Sequence, residues 1–239
     1  MMNKQMVDKM GYDRSITMFS PDGRLLQVEY AKKTVKQGST ALGIACKDGI
    51  VLVSDKRITS KLIVPGAIEK MFKVDTHIAA TAAGIISDAR VLVDRVQLKA
   101  QQHAVTYNSN IDTLTVVKDI CDLKQICTQS AGLRPFGVCM LVGGIDDDGE
   151  IRLFVTEPYG LYFQYKATVI GEGAPEIEPF LQKKYKPMSV QDGIKFGLDA
   201  IKQFLKNDFN TERVDVVVVE SSDRRYRKLG NDEIKGFVK

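Results

Sequence analysis

Three residues could together form a nucleophilic site. Gly38-Ser39-Thr40 places two hydroxyl side chains after a glycine, Asp55 follows 16 residues after Ser39, and Lys70 lies 15 residues beyond Asp55. A hydrolase with an N-terminal nucleophile needs this set. The chain is cut before Ser or Thr, the freed α-amine acts as base for its own side chain, and a nearby lysine lowers the hydroxyl pKa. A structural reading stands beside it. Gly38 would end a helix, Ser39-Thr40 would begin a strand, and Asp55 would hydrogen-bond within a turn. A disposable propeptide has no need of the capped amphipathic helix that the sequence upstream of Gly38 suggests.

Other chemistries find little support. Gly171-Glu172-Gly173 lacks the third glycine of a dinucleotide fingerprint and no strong strand–helix unit surrounds it. Val142-Gly143-Gly144 reads as the end of a strand. The four cysteines, Cys46, Cys121, Cys127 and Cys139, form no C-x-x-C, and the two histidines, His77 and His103, share no helical spacing. No metal site and no cofactor are expected, and the cysteines fit small buried residues of a reducing compartment. The basic cluster at 224–228 has no aromatic platform beside it, so a solvated strand or loop is expected and no nucleic-acid partner.

The elements that would position these residues follow from pattern. The first helix is expected to open at Ser20-Pro21-Asp22-Gly23, with Leu25, Val28, Ala31 and Val35 on one face, and to stop at Gly38. Strand pairs come next: 40–46 with 50–54 around the turn Lys47-Asp48-Gly49, then 70–75 with 77–83. Helices at 88–104, opened by Ser87 or Asp88, and at 112–130 follow. Strands at 136–144, 150–156, 161–165 and 167–171 lead to helices at 176–185 and 189–207. Late strands at 214–220 and 226–229 precede a terminal helix at 232–238. Hairpin-linked strands separated by helix pairs imply an α+β fold: a four-layer αββα sandwich of two stacked antiparallel sheets flanked by helices, with an N-terminal helix extension. An N-terminal segment over 1–37 and a sandwich over 38–239 form one continuous unit in this reading.

The 239 residues are 44% hydrophobic and 27% charged, with a net charge of +4, as in a globular chain of one or two domains. Residues 1–40 hold seven basic and four acidic side chains, and residues 223–239 six and three. Two mildly basic ends are expected to be solvated. No apolar run approaches the roughly 18 residues of a membrane span, so no membrane partner is expected. Residues 1–10 are polar and lack the apolar core of a secretory signal.

The segment Tyr12-Asp13-Arg14-Ser15-Ile16-Thr17-Met18-Phe19-Ser20-Pro21-Asp22-Gly23-Arg24-Leu25-Leu26-Gln27-Val28-Glu29-Tyr30-Ala31 resembles the N-terminal signature of proteasome α subunits, most closely the archaeal type. The likeness continues through Gly38-Ser39-Thr40-Ala41-Leu42-Gly43, Ser54-Asp55-Lys56-Arg57, Ile68-Glu69-Lys70, Gly84 with Asp88-Ala89-Arg90-Val91-Leu92, and Arg134-Pro135-Phe136-Gly137-Val138. The resemblance implies the same four-layer fold and a noncatalytic role. Ser39, Asp55 and Lys70 would be the inherited frame of a site that is proteolytic in β subunits.

It further implies heptameric α rings that cap β rings, gate the proteolytic chamber and dock ATPase activators in protein degradation in the cytoplasm. The partners would be other α subunits, β subunits, a regulatory ATPase with a hydrophobic-Tyr-X C-terminus, and unfolded protein in transit. Residues up to about Gly11 would form the gate, and Tyr12, Asp13, Pro21 and Tyr30 its open-state cluster. A phenol and a carboxylate can share a strong hydrogen bond between neighbours, and Pro21 supplies a rigid apolar wall. Lys70 would receive the activator's terminal carboxylate, with Gly84 permitting close backbone approach and Leu25 and Ile85 as apolar wall. The apolar, stiff loop Val64-Pro65-Gly66-Ala67 would lie at the channel mouth or the pocket rim.

Overall fold

The structure is a computed structural model that describes residues 11–58, 60 and 62–238. Of the gate segment expected up to about Gly11, residues 1–10 lie outside the described residues.

After α1 (Leu26–Gln37), four strands follow as two hairpins: β1 (Ala41–Ala45) with β2 (Gly49–Asp55), and β3 (Met71–Asp75) with β4 (Ile78–Gly84). The first hairpin closes where Cys46 N–H donates to Gly49 O at 2.8 Å, the turn that Lys47-Asp48-Gly49 signals. Helices α2 (Ile86–Tyr107) and α3 (Thr113–Gln129) precede β5 (Val138–Ile145), β6 (Ile151–Thr156), β7 (Tyr162–Gln164) and β8 (Ala167–Ile170). Then come α4 (Ala174–Lys184), α5 (Val190–Leu205), β9 (Val214–Glu220), β10 (Tyr226–Lys228) and α6 (Asn231–Phe237).

The strands form two five-stranded antiparallel sheets, ordered β10-β9-β2-β1-β8 and β3-β4-β5-β6-β7. Side chains alternate across each strand, and both faces are covered. Ile50 and Leu52 of β2 point into the core between the sheets, with Leu141, Leu153, Val217 and Val219. Val51 and Val53 point outward to Ile194, Leu198 and Ile201 of α5. On the other outer face Ala80, Met140, Val142 and Phe154 meet Leu92 and Val96 of α2 and Val117 and Ile120 of α3. This is the four-layer αββα sandwich that the order of elements implies.

Two helix starts differ from the sequence expectation. Ser20-Pro21-Asp22-Gly23 is a tight turn, not the opening of α1. Gly23 N–H donates to Ser20 O at 2.8 Å, Ser20 N–H donates to Arg24 O at 2.9 Å, and Phe19 bridges Leu25. Ser at the first position, Pro at the second and Gly at the fourth also specify a type I turn. The Ser20 hydroxyl accepts from Arg24 N–H, which occupies it within the turn. The second helix begins at Ile86 with Ile85 at its N-cap, so neither Ser87 nor Asp88 caps it. Asp88 is buried instead and accepts two bonds of 2.6 Å from Arg134 and one of 2.9 Å from Gly137 N–H. It fastens the first turn of α2 to the start of β5, and Arg134 holds its pKa below the usual carboxylate range against the opposing effect of burial.

At one end of the sandwich three backbones cross almost in contact. A Cβ on Gly38 would sit 2.1 Å from Gly84 N. A Cβ on Gly84, whose φ is +114°, would sit 2.2 Å from Gly137 O. Gly84→Ala must separate β4 from the lead into β5 and is expected to cost about 2 kcal/mol or more of stability. Scanning calorimetry reads it as a lowered Tm, and an unchanged Tm contradicts this packing.

Candidate functional site

That crossing frames Lys70, the residue just before β3. Lys70 is only 2% exposed. Its Nζ donates to Ser39 O, Ser39 Oγ and Thr40 O at 2.8 Å each and to Asp55 O at 2.9 Å. An ammonium has three protons, so four oxygens saturate it. The acceptors come from the lead into β1 and the end of β2 in one sheet, while Lys70 leads into β3 of the other. Thr81 Oγ1 of β4 donates to Lys70 O at 2.9 Å and fixes its backbone. Thr40 Oγ1 accepts from Gly173 N–H at 2.9 Å, which points this second hydroxyl away from Lys70 toward the start of α4.

Ser39 and Lys70 are therefore brought together as the sequence suggests, but Asp55 joins them only through its carbonyl. Its carboxylate accepts from Arg213 Nε at 2.5 Å, from Arg213 Nη2 at 2.9 Å and from Arg57 N–H at 2.9 Å. The Gly38 backbone is held at both its N–H and its carbonyl. Gly38 N–H donates to Thr34 O and Val35 O at 3.1 and 3.0 Å, and Gly38 O accepts from Glu172 N–H at 2.9 Å. Arg57, at φ 45°, donates to Gln37 O at 3.0 Å and pairs with Glu172, closing the end of α1 over the site. Burial pushes the Lys70 pKa down to about 7, partly opposed by the negative charge of Asp55.

Gly84 and Ile85 stand beside Gly38. Ile85 N–H donates to Gly137 O at 3.0 Å, and the Ile85 side chain packs over Gly137. Leu25 is at the N-cap of α1, a helix of 12 residues, whereas Gly38 is its C-cap. At 1.5 Å per residue those ends are about 20 Å apart. Leu25 therefore lines no pocket with Lys70 inside one chain.

Among the residues expected at the gate, Asp13 and Tyr12 are half-buried in a turn closed by Arg14 N–H to Gly11 O at 3.1 Å. Gln27 of α1 donates to Asp13 O at 2.5 Å and fastens this turn to the helix. Pro21 is exposed in the tight turn before α1. Tyr30 lies on α1 with Lys33 Nζ 5.2 Å from its ring centroid.

The sequence reading did not find Arg213 or Glu172. Arg213 is 158 residues from Asp55, and no local pattern marks it. Arg57 carried a signal, since it closes the run Ser54-Asp55-Lys56-Arg57.

Comparison with known proteins decides the family. Residues 35–219 match the family model for proteasome subunits, and residues 12–33 match the N-terminal signature of A-type proteasome subunits. The chain is 46% identical to the proteasome alpha subunit of Methanothermobacter thermautotrophicus, over 98% of this chain and 94% of that one. It is 46% identical to that of Methanocaldococcus jannaschii over 98% and 89%, and 47% identical to that of Pyrococcus abyssi over 95% and 87%. The chain belongs to the proteasome α-subunit family. Within this α chain, the N-terminal signature spans Tyr12, Asp13, Pro21, Leu25 and Tyr30, and the region shared by proteasome subunits spans the Lys70 site.

The depressed Lys70 pKa has a measurable sign. The folded chain, with Lys70 near 7, binds fewer protons than the unfolded chain, whose lysine stays near 10.5. Lys70 therefore makes stability rise with pH from about 7 upward, and this gain is lost as pH falls toward 7. Urea unfolding of wild type against Lys70→Met between pH 7 and 9 is expected to show a steeper rise in the wild type. Equal slopes contradict the assignment.

Proposed function

We propose that this chain is a noncatalytic subunit of the proteasome core particle, forming the outer heptameric ring that gates the proteolytic chamber and docks activators. The observation that supports this reading is the buried Lys70 side chain set beneath Ser39, beside an α1 whose Val35 is part of the core between the sheets. Ser39 is half-exposed and its hydroxyl accepts from Lys70. The hydroxyl proton is thus turned away from Lys70 and can meet an incoming carboxylate, which the cation below also attracts. The ligand is the C-terminus of a regulatory ATPase ending hydrophobic-Tyr-X. Leu25, about 20 Å from Gly38 along α1, reaches such a pocket from the neighbouring copy in a ring, while Lys70, Gly84 and Ile85 come from the first.

The gate reading rests on continuity along the chain. α1 connects the Lys70 site at its C-terminal end to the Tyr12-Asp13 turn and Pro21 at its other end, and Gln27 ties that turn to it. In a ring, Tyr12 and Asp13 pair between neighbours, with Pro21 and Tyr30 as the wall behind them, and residues 1–11 cover the axial pore. β subunits beneath supply the proteolysis, and unfolded protein passes the pore. All four cysteines are free and buried, which supports a reducing compartment such as the cytoplasm.

A second reading, an autoprocessed hydrolase using Ser39 or Thr40, draws on the 2.8 Å Ser39 Oγ–Lys70 bond. It requires a free α-amine on the nucleophile. Cutting at Gly38–Ser39 would detach α1, whose Val35 belongs to the core between the sheets.

Two outcomes test the first reading. Deleting residues 1–12 in a particle assembled with β subunits is expected to raise hydrolysis of a short peptide severalfold, and unchanged hydrolysis by intact particles contradicts the gate. Lys70→Ala is expected to weaken binding of an ATPase C-terminal peptide about 10-fold or more while rings still assemble. Unaltered peptide affinity removes Lys70 from the pocket.

A further inference from the structure

A second cationic site lies on the far side of the Asp55–Arg213 pair. Lys56 follows β2, and its N–H donates to Arg213 O at 2.8 Å. Its Nζ reaches Asp215 Oδ1 at 3.0 Å, and its side chain is only 7% exposed. Lys228, at the end of β10, reaches the other oxygen of the same carboxylate, Asp215 Oδ2, at 2.9 Å. Register explains the meeting: Asp215 of β9 faces Ser54 of β2, and Lys228 faces Val217.

Both lysines and Asp215 line a cavity of about 410 Å³, with Leu229 and Ile234 as apolar wall and Asn231 at its edge. The local chemistry is unbalanced. Lys56 and Lys228 both pair with the one carboxylate of Asp215, and among the described residues neither lysine has a second ion-pair partner. Asn231 lines the same cavity and carries a buried amide oxygen with no hydrogen-bond partner among the described residues. Glu212 lines the rim but is exposed, and its backbone N–H is held by Asn210.

We propose that this cavity is a carboxylate-binding site, distinct from the Lys70 site, for a ligand with a short apolar group beside its carboxylate. The carboxylate takes the free protons of Lys56 and Lys228 and completes an alternating ring of two cations and two anions with Asp215. The apolar group lies on Leu229 and Ile234. A peptide chain end and a free aliphatic acid share this chemistry.

Isothermal titration of the full-length chain with N-acetyl-leucine, N-acetyl-leucinamide and 4-methylpentanoate tests it. N-acetyl-leucine is expected to bind with a dissociation constant of about 1 mM, and the amide, lacking the charge, not to bind. Tighter binding of N-acetyl-leucine than of 4-methylpentanoate marks a peptide chain end as the ligand, and the reverse order marks a free acid. Lys228→Gln, at a side chain 40% exposed and so compatible with folding, is expected to weaken binding at least about 5-fold. Equal binding of the amide, unchanged affinity in Lys228→Gln, or no heat from either acid overturns the proposal.

Discussion

The Lys70 ammonium, held by oxygens of Ser39, Thr40 and Asp55, is the contact on which the end of the sandwich depends. Burying a lone cation costs several kcal/mol, and only closely placed oxygens offset it. Three of the four acceptors here are main-chain carbonyls, so the backbone itself must come close. That requirement explains the glycines around it. Gly38 must nearly touch Gly84, and Gly84 must nearly touch Gly137, for the lead into β1 to lie where Lys70 can reach it. The Lys70 side chain thereby joins the two sheets where α1 ends and the lead into β5 begins.

The same frame serves two chemistries, and the difference between them is covalent. With a free amine at Ser39 and a carboxylate turned to the lysine, a hydroxyl beside Lys70 is a nucleophile. Here Asp55 gives its carboxylate to Arg213 and its carbonyl to Lys70. What is left is a polarised hydroxyl above a cation, an arrangement suited to holding an anion. α1, which a hydrolase would discard, is built into the core by Val28, Ala31 and Val35 and pinned at its end by Arg57.

The fold was legible because both faces of nearly every strand are buried and helices cover them in pairs. Val214–Glu220 reads as a strand from sequence and is one to the residue, since its valines supply both cores. The helix starts were less legible because Ser-Pro-Asp-Gly serves a cap and a type I turn equally well. Asp88 looks like a cap until its distant partner Arg134 is known. In the site, Ser39 and Lys70 were legible as a pair. The turning of Asp55 toward Arg213 was not, because that choice is made by a residue far along the chain. The separation of Leu25 from Gly38, by contrast, follows from helix length alone.

The claim that matters most is that Lys70 acts on an uncut chain. Intact-mass measurement of the α chain recovered from particles assembled with β subunits tests it directly. A single species at the full 26.6 kDa is the expected result. A species beginning at Ser39 or Thr40 with a free α-amine would contradict the account.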